Sequence, residues 1–251
     1  MTRARELEGK VAVVTGASRN IGRAIALAFA DAGAAVAVIG RADRAGLDET
    51  AALIKAAGGR AIVMLGDVRD EASVKSFIDG TVAEFGRLDI LVNNAAIRVE
   101  EPVEKVTFAS WRNVTATILD GAFLCVSAAL PHLLRSDAGR IINIGGRTGH
   151  TGSRDRVHVV SAKAGLIGMT KGLAIELAPK KITVNLISPG LIATVRGAST
   201  SGPTETSDKM APVGRRGTAE EVANMARLLA GPDGGYMTGQ SIHINGGTFM
   251  P

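Results

Sequence analysis

A doubly wound α/β fold with a parallel sheet is predicted by three observations. Short apolar runs of strand length alternate with stretches of helical periodicity at an even pace from Lys10 to Gly246. The apolar runs are nearly continuous, as in strands buried on both faces. A glycine-rich turn, Thr15-Gly16-Ala17-Ser18-Arg19-Asn20-Ile21-Gly22, joins the first run to the first helical stretch. Strand–crossover–strand units of this kind are right-handed and place helices on both faces of one sheet.

The elements follow in order. Lys10-Val-Ala-Val-Val-Thr15 reads as the first strand, and Ile21, Ile25, Ala28 and Phe29 recur at helical spacing after it. Ala35–Ile39 is a second strand, and Asp48–Ala57 a helix closed by Gly58-Gly59. Ala61–Leu65 is the third strand. Val74, Phe77, Ile78, Val82 and Phe85 make one helical stripe that stops at Gly86. Leu88–Asn93 is the fourth strand, followed by a long helix from about Thr107 to Leu134 with Pro131 near its end. Arg140–Ile144 is the fifth strand, Val159–Leu177 a helix and Ile182–Ile187 the sixth strand. Thr218-Ala-Glu-Glu221 is a capping box that opens the last helix, and Ser241–Ile244 is a seventh strand. The Ser-, Thr-, Gly- and Pro-rich stretch Val195–Pro212 breaks the rhythm and reads as a substrate lid at the carboxyl edge of the sheet.

With no internal boundary in the pattern, residues 1–251 read as one domain. Cys125 is the only cysteine, so neither an intrachain disulfide nor a cysteine-held metal is expected. The net charge of +5 and pI near 9.7 would suit nucleic acid. The basic residues are dispersed, however, and aromatics make up 3% of the chain, which leaves few stacking platforms for bases. Anionic small molecules are the expected partners. No signal-peptide pattern opens the chain, and no apolar run is seen that approaches the ~20 residues of a membrane span. A cytoplasmic protein without membrane partners is expected.

The turn between the first strand and helix lies where helix N-terminal amides face a pyrophosphate. Gly16 allows the tight turn and Gly22 close packing of helix on strand. Thr-Gly-x-x-x-Gly-x-Gly is a fingerprint by which the chain resembles the short-chain dehydrogenases/reductases, with Asn20 replacing the middle glycine. Asp67-Val68, Asn93-Asn94-Ala95-Ala96, Lys163 in Ser-Ala-Lys-Ala-Gly and Pro189-Gly190-Leu-Ile-Ala-Thr194 extend the resemblance over residues 7–247. Within the family, the chain looks most similar to the bacterial 3-oxoacyl-ACP reductases. The resemblance implies a Rossmann-type seven-stranded sheet in the order 3-2-1-4-5-6-7 and assembly as a homotetramer. It also implies a nicotinamide cofactor, held by Gly16, Ser18, Arg19, Asn20, Ile21 and Gly22, with Asp67 and Val68 at the adenine and Asn94 and Ala95 at the ribose. Lys163 would hold the nicotinamide ribose, while Pro189, Gly190, Ile192 and Thr194 would meet the carboxamide end. An acid after the second strand would bond the ribose hydroxyls and repel a 2′-phosphate. Here Gly40-Arg41 stands there, and Arg19 sits in the turn. NADP(H) is therefore the expected cofactor, with NAD(H) the alternative.

The family's chemistry uses a Tyr acid/base, a Lys one turn later, a Ser at the end of the fifth strand and an Asn on the preceding helix. Those positions hold Val159, Lys163, Gly146 and Ile118. Only the lysine is kept, and the single tyrosine, Tyr236, lies just before the last strand. His158 and His150 are substitute candidates for proton transfer, as histidines that titrate near neutral pH. Adjacent helix residues point about 100° apart, which turns His158 from the direction a Tyr would take. Arg98, Arg147, Arg154 and Arg156 cluster near the expected pocket and suit an anionic or carrier-linked small-molecule substrate, with solvated loop charge the competing reading. Asp120 reads as a structural or interface acid, and Phe108, Trp111 and Phe123 as core or interface. Three functions stay open. The first is an NADP(H)-dependent oxidoreductase with non-standard proton delivery that acts on an acyl thioester or enone. The others are an inactive cofactor-binding pseudoenzyme or sensor subunit, and a non-redox lyase or isomerase with a structural dinucleotide.

Overall fold

The computed structural model describes residues 5–195 and 211–251. Most of the lid stretch, 196–210, therefore lies outside the described residues. Seven parallel strands form one sheet in the order β3-β2-β1-β4-β5-β6-β7. They are β1 (Val11–Thr15), β2 (Ala35–Gly40), β3 (Arg60–Leu65), β4 (Ile90–Asn93), β5 (Gly139–Ile144), β6 (Ile182–Pro189) and β7 (Ser241–Ile244). The reversal of strand order between β1 and β4 opens a crevice at their carboxyl ends, where doubly wound sheets bind ligands.

Side chains alternate between the two faces. From β1, Ala12 and Val14 join the cluster under α1 (Asn20–Asp31), α2 (Arg44–Ala56) and α8 (Ala219–Ala230). Val11 and Val13 join the opposite cluster, under α3 (Glu71–Phe85), α5 (Gly121–Leu133) and α7 (Val157–Leu177). Burial on both faces explains the continuous apolar runs of the inner strands. Helix ends follow local chemistry. Gly86 closes α3 in the left-handed conformation at φ +80°, and Thr218 and Glu221 form the expected capping box. Helix α2 begins four residues earlier than its apolar pattern suggested, because the Asp43 side chain accepts from the Gly46 amide at 3.1 Å and caps it.

The long helix is less regular than expected. α4 (Phe108–Thr115) and α5 are joined by a π-helical turn over Ala116–Asp120. Together, Phe108–Leu133 are long and apolar enough to cross a membrane by composition, which corrects the expectation that no such stretch exists. Half of the apolar window is buried against the molecule, as in a crossover helix packed on its sheet. The core reading of two aromatics is also corrected. Phe108 and Phe123 are 78% and 56% exposed, whereas Trp111 is half-buried. A short helix, α6 (Thr148–Thr151), follows β5 and had no sequence signal.

Candidate active site

The crevice holds two adjoining cavities, which share Ile21, Asn94, Ala96, Ile97, Arg98 and Thr194. The larger, about 710 Å³, runs from the glycine-rich turn past Arg41 to Asp67 and Val68. The smaller, about 390 Å³, lies against Gly146, Val159, Lys163 and the Pro189–Ile192 segment. Every residue expected at the cofactor lines one or the other, so segments far apart in sequence converge as their motifs implied.

The turn is built for close approach. Gly16 has φ +66°, and a Cβ on Gly22 would lie 2.2 Å from the Gly16 carbonyl oxygen. No side chain caps the α1 N-terminus and no acid lies in its first turn, so the leading amides face the cavity with the positive end of the helix dipole. That arrangement fits a pyrophosphate. Thr15, at the end of β1, and Asn94, just after β4, brace it. Thr15 Oγ1 accepts from the Asn94 and Ala95 amides at 3.0 Å, and Asn94 Nδ2 donates to the Thr15 and Gly16 carbonyls. Asn94 thus lines both cavities, with its amide NH2 committed to holding the turn. Below it, Asn93 donates to Asn143, which donates to Thr170 of α7, a buried chain tying β4, β5 and α7 together.

Asn20 stands where the fingerprint has glycine and adopts φ +52°, a conformation that Asn tolerates better than most residues. Its carboxamide donates to the Val195 carbonyl and accepts from the Val195 amide, both at 2.9 Å. The chain leaving β6 is thereby fastened to the turn, a link between residues 175 positions apart that no local pattern announces. Arg19 and Arg41 line the large cavity, and neither has a carboxylate partner within ion-pair distance among the described residues. Two acids at this end are already engaged. Asp43, which the sequence reading missed, also lines the cavity. The Gly46 amide, the Ser18 hydroxyl and nearby Arg19 and Arg23 hold its carboxyl below the ordinary range. The Arg69 guanidinium forks onto Asp67 and lowers its pKa, with the Arg69 amide and nearby Arg41 adding to this. Arg69 also donates to Asn113 at 2.6 Å, anchoring Asp67 to α4.

The smaller cavity lacks a hydroxyl acid where the family keeps one. Val159 is packed with Val114, Ile118, Ala122, Ala162, Leu166 and Leu186. Gly146 is open enough that an added Cβ would meet nothing within 4 Å. Ile118, 2% exposed, sits in the π-helical turn, a feature that often marks functional positions. Tyr236 is fully exposed beside Arg140 and Ile182, near the amino ends of β5 and β6 and opposite the crevice. Lys163 lines the cavity, and its Nζ donates to the Ile144 carbonyl at 2.6 Å.

Neither histidine candidate is among the residues that line the cavity. His158 has 0% exposure, and neither ring nitrogen has a partner among the described residues. The one-residue rotation from Val159 carries it into the interior. His150 packs against His243 and Phe249, with ring centroids 4.6 and 5.5 Å away. Burial, His243 and Lys171 lower its pKa. Arg154 is also removed from the arginine cluster, since its side chain is 94% exposed and lies by Asp155. Asp120 faces Arg112 at 3.9 Å near the surface, in keeping with a structural or interface acid.

Burial of Lys163 lowers its pKa from 10.5 to about 8. The ammonium is thus disfavoured in the folded chain. Between pH 8 and 10.5 the unfolded chain binds the extra proton, so this site's contribution to stability rises with pH through that window. Below pH 8 the site costs the full penalty, about 3 kcal/mol. Lys163→Met should therefore raise stability at pH 7 by about 2 kcal/mol, after loss of the Ile144 hydrogen bond. Urea unfolding of both proteins at pH 7 and pH 10 checks this: the gap should narrow at the higher pH, and a variant less stable at pH 7 would refute it.

The crevice, the amide-lined turn and the buried lysine belong to a doubly wound α/β protein whose relatives are oxidoreductases. A family profile described as Enoyl-(Acyl carrier protein) reductase matches residues 16–248. The chain is 39% identical over 242 residues to the 3-oxoacyl-[acyl-carrier-protein] reductase FabG of Staphylococcus aureus (strain N315), covering 96% of this chain and 98% of that one. It is 38% identical over 244 residues to the enzyme of the same description from Escherichia coli (strain K12), covering 97% and 98%. A crystal structure of a dehydrogenase/reductase from Sinorhizobium meliloti 1021 superposes with a TM-score of 0.92 at 36% identity, covering 98% of each chain. The chain belongs to the short-chain dehydrogenase/reductase family.

Proposed function

We propose that the protein is an NADP(H)-dependent reductase of conjugated C=C bonds, an enone or enoyl thioester, with proton delivery that does not use a tyrosine. The observation that carries this reading is the pairing of a crevice lined by every residue expected at the cofactor with Val159 and Gly146 where the family keeps its Tyr and Ser. When bound, the reduced nicotinamide would supply the hydride for the β-carbon, with water as the source of the proton at the α-carbon and NADP⁺ as the oxidised product. The chain's residues bind and orient. The α1 amides would hold the pyrophosphate, and Arg19 and Arg41 would flank the 2′-phosphate. Lys163 would hold the nicotinamide ribose hydroxyls, while Val159 and Ile192 present apolar surface to the acceptor. Carbonyl reduction needs a proton placed at oxygen, and a positioned acid is typically worth 10²–10⁴-fold. Reduction at carbon dispenses with that group at Val159.

Assembly as a homotetramer in the cytoplasm belongs to the same reading. It is supported by exposed Phe108 and Phe123 on α4 and α5, which suit burial against another copy. A second reading, a cofactor-binding subunit without turnover, is favoured by the same loss of the Tyr and Ser.

Fluorescence titration should show NADPH binding roughly tenfold or more tighter than NADH. Combining Arg19→Ala with Arg41→Ala should bring the two within a few-fold while NADH affinity holds. Equal affinity in the unaltered protein would remove the NADP(H) assignment. NADPH oxidation across a panel of enones and ketones then separates the readings, since binding without turnover on any acceptor supports the subunit.

A further inference from the structure

The smaller cavity carries a charge pattern that hydride chemistry does not require. Arg98, Arg147, Arg156 and Arg216 line it together with Lys163, and no Asp or Glu is among its described lining residues. Arg98 and Arg156 converge on one carboxylate, Glu100. Arg147 and Arg216 have no acidic partner among the described residues.

Both of these arginines spring from anchored backbone. The Arg147 amide donates to the Pro189 carbonyl at 3.1 Å, immediately after the open position at Gly146. Arg216 is brought in from far along the chain by the isolated parallel bridge between Ile192 and Gly217. Two hydrogen bonds fix that bridge, from the Gly217 amide to the Leu191 carbonyl and from the Ala193 amide to the Gly217 carbonyl. The neighbouring Arg215 already takes Glu221, so the nearest acid is spent elsewhere. Guanidinium groups on fixed backbone in a concave site match the planar, bidentate geometry of a carboxylate or phosphate. Arg147 is half-buried and Arg216 exposed at the rim, and their field draws anions toward the cavity.

We propose that the substrate of this cavity carries an oxyanion, held between Arg147 and Arg216, with its reactive carbon toward Val159 and Lys163. The inference rests on the reductase reading for what happens at that carbon, but the anion subsite stands on its own residues. The oxyanion has two sources, the carboxylate of a small acid and the phosphate of a carrier-linked acyl group.

The test uses the full chain loaded with NADPH and two matched pairs of probes. Monomethyl and dimethyl fumarate share one activated C=C and differ by one carboxylate. Crotonyl-coenzyme A and the N-acetylcysteamine thioester of crotonate share one enoyl group and differ in the phosphate-bearing arm. Binding is read by quenching of NADPH fluorescence and turnover by NADPH absorbance. In at least one pair the anion should bind roughly tenfold or more tightly than its neutral counterpart. That preference should fade at high salt, and Arg147→Gln or Arg216→Gln should bring it toward unity with NADPH affinity unchanged. A preference in the fumarate pair assigns a small acid, and one in the thioester pair alone assigns a carrier phosphate. Equal binding within both pairs would overturn the inference, as would loss of NADPH affinity in the arginine variants. Anion preference without NADPH oxidation would leave the subsite standing and remove the reductase reading. Oxidation driven equally by the neutral probes would do the reverse.

Discussion

Combining Val159→Tyr with Gly146→Ser should raise ketone reduction by about 10²–10⁴-fold over the unaltered chain, the typical worth of a positioned acid. A tyrosine at 159 lies one helical turn before Lys163 and on the same face of α7. Val159 already lines the cavity, so a phenol there would extend into it. The lysine ammonium, lowered to about 8 by burial, would favour phenolate and bring the hydroxyl toward useful acidity. A serine at 146 would find open space for its Cβ at the end of β5, where its hydroxyl could orient a carbonyl. Each single variant should gain less than the pair, because acid and orienting group act on the same oxygen. NADPH oxidation with ethyl acetoacetate, measured for the unaltered chain, both singles and the pair, decides the matter. If the double variant binds NADPH and reduces no ketone, the cavity cannot place a carbonyl beside residue 159.

Gly22→Ala should abolish saturable NADPH binding over at least a hundredfold range of concentration. Its added methyl would sit 2.2 Å from the Gly16 oxygen, 2.6 Å from Asn94 Nδ2 and 2.9 Å from the Gly16 carbonyl carbon. Two of the three neighbours are backbone, so no side-chain rotation relieves the clash. Helix α1 must retreat and take the amide cradle with it. Overpacking of this sort typically costs about 1–3 kcal/mol. Gly168→Ala in α7 is the matched control, since a Cβ there meets nothing within 4 Å and alanine is the better helix former. Its unfolding midpoint should hold or rise, with NADPH affinity intact. A Gly22→Ala protein that binds NADPH normally would show that the cradle yields more readily than its contacts indicate.

The parts of this molecule that were legible in sequence are those set by local chemistry. Continuous apolar runs marked the strands because both faces of the sheet are covered, and Thr218, Glu221 and Gly86 marked helix ends through their own hydrogen bonds and backbone angles. The glycine-rich turn that opens the crevice was legible for the same reason, while the rest of the lining comes from motifs far along the chain. The π-helical turn at Ala116–Asp120 was not, because an extra residue in a helix leaves no compositional trace. Asp43 and Arg216 were missed as cavity-lining residues, and Arg69 as the partner of Asp67, because each is placed by a fold contact rather than a motif. The burial of His158 follows from its position, one step around the helix from Val159.

The Asn20 carboxamide pairs with both the amide and the carbonyl of Val195, as a neighbouring strand would. On the far side, Ala211 is buried, and the Val213 amide donates to the Gly246 carbonyl. The described chain is thus held on both sides of residues 196–210, by the glycine-rich turn before them and by the segment after β7 beyond them. A substitution at Asn20 would reach the chain leaving β6 as well as the turn itself.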